Sequence, residues 1–248
     1  NDRNHMLFVD AGNNRIGIND SAPQQLVDIY DSTLPVIRLT NGRNEGVGSD
    51  YDLGKIEFFS DDSSGTGARV LTEINAIGDA ASAAPGGHFV IKTAPTNSAT
   101  VERLRIDSAG HVTMPSQPAF LVQKSASQDN PASTDAITWD TERFDQNSDF
   151  GSNAFTAPVT GKYLLTMTIR TANADIDSNY IIFRLRTSNR DFDDIIDARA
   201  FDFDPTHWVF QRTVLADMDA NDTASIIYYF QGGTAQLDIG TDSSFSGH

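Results

Sequence analysis

The densest set of potential ligands in the chain is Asp191, Asp193, Asp194 and Asp197, followed by Asp202 and Asp204. Carboxylates crowded into one loop supply the hard oxygens that Ca²⁺ takes in sets of about six to eight. The first four are therefore candidate metal ligands, with Ca²⁺ as the candidate ion. The spacing is not that of an EF-hand: counting from Asp191, Ile196 stands where the loop glycine would be and Asp202 where the bidentate Glu would be. A solvated acidic loop is the other reading. In an oligomer such acids could meet on the axis, where they would repel if unpaired. Arg184 and Arg186 alternate with Phe183 and Leu185. A strand there buries its apolar side and offers two guanidiniums to the same acids, within or between subunits.

Other chemistry is sparse. None of His5, His88, His111, His207 and His248 falls in a metal-ligand spacing. No nucleophile elbow, phosphate-binding loop or dinucleotide fingerprint occurs. His207, next to Trp208, reads as a turn or packing residue. A glycosidase needs only two carboxylates about 5–10 Å apart, and among 34 acids the sequence nominates no pair. The chain reads as non-enzymatic, with a polysaccharide depolymerase as the alternative. With 34 acidic against 18 basic residues, a net charge of -16, a nucleic-acid partner is not expected. There is no cysteine, hence no disulfide and no thiolate site. No apolar run reaches the ~18 residues of a membrane span, so no membrane insertion is expected.

The elements that must position these residues read as strands. Short apolar or alternating runs recur between Gly, Asn, Asp, Ser and Pro clusters: 7–9, 15–18, 36–39, 55–59, 69–74 and 88–92. No stretch sustains a helical period; Gln24 to Ile29 could open a short helical turn or a strand. Two prolines at 115 and 118 suggest a linker. The expected organisation is 1–114, a linker at 115–119, and 120–248. Within the first part, Leu7 to Gly12 is similar to Leu104 to Gly110, and a short strand follows each. Asp would bond the turn backbone and Gly would supply positive φ. Two unrelated hairpins with common turn chemistry would look the same.

The segment Phe155-Thr-Ala-Pro-Val-Thr-Gly161-Lys-Tyr163-Leu-Leu165-Thr-Met167 resembles the core signature of the C1q/TNF-like family. Phe155 would close one inward strand, Pro158 to Gly161 would turn, and Tyr163, Leu165, Met167 and Ile169 would form the next inward face. Ile137 to Asp140 and Phe144-Asp145 look like the family's preceding strands. Met218 to Ala224 looks like its turn into the penultimate strand, and Ser244 to Gly247 like the start of its last. The match spans roughly residues 119–248. The first part is similar to phage tail-fibre sequences, carried by Asn14 to Pro23, Leu26 to Asp28, Gly54 to Ser60 and Glu102 to Val112.

These resemblances imply an all-β chain: a fibre-like β region, then a jelly-roll sandwich in a tight homotrimer. They imply a tail-fibre tip that binds a bacterial surface glycan or outer-membrane protein. It would be assembled in the host cytoplasm, function outside the cell, and adjoin other tail proteins at its N-terminal side. A structural trimerisation cap and a secreted bacterial adhesin are the remaining alternatives. Candidate receptor loops are 173–179, 189–194, 202–208 and 231–236, with Asn173, Asn189, Asp191, Trp208 and Gln231 as candidate contacts. Trp208, Tyr228 and Tyr229 could stack on sugar, although strand alternation would bury one of the two tyrosines. Phe58, Phe59, Val70, Leu71 and Ile74 would form a core shared by three copies, or else fill each subunit's own.

Overall fold

Alternation of apolar and polar side chains along the second half of the chain folds it into two sheets packed face to face. The computed structural model describes residues 7–42, 51–65, 67–79, 86–233 and 237–248. Two compact units divide between Thr113 and Met114. The strands of the first are β1 (Phe8–Asp10), β2 (Arg15–Ile18), β3 (Val27–Ile29), β4 (Tyr51–Ser60), β5 (Arg69–Gly78), β6 (Gly87–Thr93), β7 (Val101–Ile106) and β8 (Val112–Thr113). Those of the second are β9 (Ala119–Gln123), β10 (Gln128–Asp129), β11 (Thr141–Gln146), β12 (Phe150–Gly151), β13 (Ala154–Thr156), β14 (Gly161–Ala172), β15 (Tyr180–Thr187), β16 (Asp191–Ile196), β17 (His207–Met218), β18 (Thr223–Gln231), β19 (Asp238–Ile239) and β20 (Ser244–Gly247). A 3-10 turn at Ala198–Ala200 is the one helical element among the described residues.

One sheet of the second unit runs β10-β19-β14-β20-β9-β11, with β17 paired along the whole of β14; the other runs β12-β13-β18-β15-β16. On β14, Tyr163, Leu165, Met167 and Ile169 are buried, as their alternation predicts. They meet Phe155, Phe183, Leu185 and Tyr228 in one connected core. Phe120 stacks on Phe155 at 4.9 Å and meets the edge of Phe245 at 5.1 Å. Gly247 lies where a Cβ would come within 2.6 Å of Leu165 and 2.7 Å of Phe120, so only glycine lets the last strand close over them. The Tyr163 hydroxyl donates to the Val159 carbonyl at 2.6 Å, which pins the turn before β14. Residues 137–140 form no strand, although Ile137 is fully buried: its N–H bonds the Ile226 carbonyl beside a lone bridge at Ala136. The segment around Pro115 and Pro118 is a turn, with Gln117 N–H on the Met114 carbonyl and the Gln146 amide on both their carbonyls.

In the first unit β4 to β8 form a five-stranded antiparallel meander, and β1, β2 and β3 form a small sheet in which β2 and β3 are parallel. Residues 24–29 therefore end in a strand, not a helix. Val36, Ile37 and Leu39 form no strand and stay exposed. Both similar segments are hairpins. Asp107 accepts from the Ala109 and His111 N–H groups, and Gly110 sits at φ 89°. In the first hairpin Asp10 does the same work for Asn13, but the positive φ belongs to Asn14, not to Gly12.

Candidate functional site

The acidic stretch forms β16, and pairing rather than convergence decides its chemistry. β16 runs antiparallel to β15, with Arg184 opposite Asp193 and Arg186 opposite Asp191. Arg184 donates to both oxygens of Asp193, at 2.6 and 2.7 Å, and lies 2.7 Å from Asp191. Arg186 donates to Asp191 at 3.2 Å. Both guanidiniums also donate to the Tyr229 hydroxyl, and Arg184 lies over the Tyr229 ring at 4.6 Å. The Arg184 hydrogen bonds hold the Asp193 carboxyl below its usual range, and the same bonds push the Arg184 guanidinium up. Asp194 points the other way and accepts from Arg212 of β17 at 2.7 Å, joining the edges of the two sheets. Asp197 caps the 3-10 turn through the Arg199 N–H. The four candidate Ca²⁺ ligands thus face an arginine ladder, a sheet edge and a helix cap. Among the described residues no group of three acids or histidines could hold a metal ion.

The receptor candidates divide between the two ends of the sandwich. Asn189 is exposed beside Asp191, and its amide donates to the Asp217 carbonyl at the end holding the turn from β17 to β18. Asn173, Trp208 and Gln231 lie at the other end, where β14 stops and β15 and β17 begin. There the Asn173 amide donates to Asp238 at 2.7 Å, and the Gln231 carbonyl accepts from the Asn179 N–H at 2.6 Å. Asp204 accepts from the Ile176 N–H, which ties loop 173–179 to loop 201–206. Trp208, 41% exposed, meets the edge of Phe201 at 5.1 Å over a small apolar cavity, and Phe203 is 69% exposed nearby in sequence. Exposed aromatic faces among carboxylates and amides can stack on a sugar and bond its hydroxyls. Residues 234–236 of the expected loop lie outside the described residues. Tyr228 is buried and Tyr229 is not, as alternation requires.

About half of the chain resembles C1q/TNF jelly-roll domains. The globular domain of zebrafish complement 1qA protein is 17% identical, with a TM-score of 0.41, covering 53% of this chain and 96% of its own. Murine APRIL is 11% identical, with a TM-score of 0.37, covering 52% of this chain and 95% of its own. No protein-family model matches the chain, and no curated protein matches its sequence.

The first unit presents a different surface. Pairing places Ile56 opposite Ile74, Ile74 opposite Ile91, and Ile91 opposite Leu104. Phe89 lies between Ala76 and Ile106, and Ile106 faces Val112. A bulge at Leu71 sets Phe58 opposite Thr72, on this face, and Phe59 opposite Val70, on the other. Its apolar side chains are half bare: Ile56 is 54%, Phe58 55% and Val112 57% exposed. The opposite face carries Lys55, Glu57, Glu73, Lys92, Glu102 and Arg105. Among the described residues of this unit only Ile77 and Val90 are buried hydrophobics. Phe58 and Phe59 therefore do not fill a core of their own subunit; Leu71, 39% exposed, is the unpaired residue of the bulge.

Sequence reading missed two features. Arg212 stands at an inward position of β17, between the buried Phe210 and Val214. A charge inside such an alternating series was the available signal for a partner across the sheets. Lys124 is buried and donates to the Thr138 carbonyl at 2.9 Å; burial pushes its ammonium pKa down. Asp140, 3.9 Å away, is held at about 2 by the Ser125 and Ala126 N–H groups and the lysine.

Proposed function

We propose that three copies of the chain form a bacteriophage tail-fibre tip that attaches the virion to a glycan or outer-membrane protein on a bacterial surface. The observation that carries this reading is the half-bare apolar face of the β4–β8 sheet. A chain that closes one sandwich internally and leaves a second sheet uncovered is suited to assembly with its own copies. The tail-fibre resemblance of residues 1–114 gives that assembly its setting. Each head then presents the end bearing Asn173, Trp208 and Gln231, and three equivalent weak contacts gain avidity. The head works by surface complementarity and leaves the ligand intact.

Two measurements test this. Light scattering at micromolar concentration should give a mass near three times 27.0 kDa; a monomer overturns the reading. Fluorescently labelled chain should bind bacteria, and Trp208→Ala should weaken binding by about tenfold or more without shifting the melting temperature of the head. Surface polysaccharide recovered shortened would establish a depolymerase instead.

A further inference from the structure

In the first unit, Arg69 differs from the seven arginines that pair with acids. Arg105, Arg170, Arg184, Arg186, Arg190, Arg199 and Arg212 each meet a carboxylate. Arg69 pairs with none among the described residues, and its Nε is enclosed with no hydrogen-bond partner. An enclosed guanidinium N–H without an acceptor is costly, so the site is short of one acceptor. The surroundings describe what would supply it. Arg69 and Asn97 together separate two open depressions of about 350 and 330 Å³, each large enough for a single sugar ring. Ser98 and Thr100 line the first; Ser60, Asp62 and Ser64 line the second.

We propose that this groove binds an acidic saccharide, with Arg69 taking the carboxylate and the flanking hydroxyls, Asn97 and Asp62 taking ring hydroxyls. Guanidinium and carboxylate match as two parallel hydrogen bonds. Two negative side chains, Asp62 and Glu73, line the groove. They disfavour a dianion such as phosphate, whereas a sugar hydroxyl donates to a carboxylate. Glu73 already accepts from Thr100 and lies 3.8 Å from Lys92, so its charge is partly answered. The choice of a saccharide rests on the receptor-binding reading above; the vacant guanidinium does not.

The test uses the full chain and three probes in calorimetry: trigalacturonic acid, its carboxyl-reduced neutral trisaccharide, and inorganic phosphate. The acid should bind about tenfold or more tightly than the neutral sugar. Arg69→Ala should abolish that preference, Arg69→Lys should keep part of it, and neither should change the mass. Equal binding of acid and neutral sugar, no binding of the acid, displacement by phosphate at equal concentration, or indifference to Arg69→Ala each overturns the site. A change of mass in Arg69→Ala overturns it too, by making Arg69 a contact between copies. If Arg69→Ala chain still attaches to bacteria, the receptor reading stands without this groove.

Discussion

Replacing Phe58, on the bare sheet face, and its exposed neighbour Phe59 by Asp tests that face most directly. Full burial of a large apolar side chain is worth about 1.5–3 kcal/mol. Phe58 and Phe59 are 55% and 60% exposed in one chain, so covering the remainder contributes about 1–2 kcal/mol for each ring. Over three chains Phe58, on the face to be covered, supplies about 3–6 kcal/mol of association free energy. The carboxylate introduced at position 58 would also have to be buried without a partner in each chain, which costs more than the lost area. The single chain should tolerate the change, because a half-exposed ring contributes little to its own fold. Phe58→Asp/Phe59→Asp chain should therefore sediment and scatter light as a monomer at micromolar concentration. A Lys55→Gln control on the polar face should match the unaltered protein. The reasoning is refuted if the double variant keeps the parent mass, since the face would then be solvent-facing in the assembly too.

Removing the guanidinium of Arg212 by Ala leaves Asp194, half-enclosed between the sheets, without its partner; a loss of about 1–3 kcal/mol in urea unfolding is expected, and none at all would show that the link carries nothing. EDTA should leave mass and melting temperature unchanged, because Asp191, Asp193 and Asp194 already meet arginines; a rise in melting temperature on adding Ca²⁺ would reinstate them as ligands. Asp140→Ala should cost about 1 kcal/mol at pH 7, after discounting for the exposed carboxyl. The folded pKa near 2 lies below the ordinary 3.8, so this contribution is present above pH 4 and fades as the pH falls toward 2. Variant and parent stabilities that stay parallel across that window would sink the assignment.

The parts of the fold that could be read early were those in which one strand carries its own evidence. Tyr163, Leu165, Met167 and Ile169 show their burial by alternation alone, and Arg184 and Arg186 show their exposure the same way. Pairing between distant strands has no such local record. The apolar face of the first unit is assembled from β4 to β8, and the bulge that leaves Leu71 unpaired opposite Phe58 and Phe59 appears only in the register. The acids of 191–197 read as a cluster because they are close in sequence. In a strand, neighbours point to opposite faces, which separates Asp193 from Asp194. Val36 to Leu39 had the composition of a strand, but no neighbouring strand pairs with it. Asn173 and Asn189 seemed equivalent as loop asparagines, yet the strand directions put them at opposite ends.

The two units meet the need to bury apolar surface differently, and this has a measurable consequence. The head encloses Phe120, Phe155, Phe183 and Phe245 within one chain, so its stability is set by intrachain contacts. The first unit closes little by itself and, in the proposed assembly, is completed by other copies. Linkage then requires that its unfolding midpoint rise with protein concentration, because only the folded form associates. Calorimetric scans over a hundredfold range of concentration should resolve a transition that moves upward and one that does not. Phe58→Asp/Phe59→Asp should lower the moving transition and remove its concentration dependence while the other stays in place. If both transitions move together in the parent protein, the head also takes part of its stability from neighbouring copies. The association surface would then have to be sought on its outer strands as well, beginning with Val209 and Leu215, which are 54% and 68% exposed on β17.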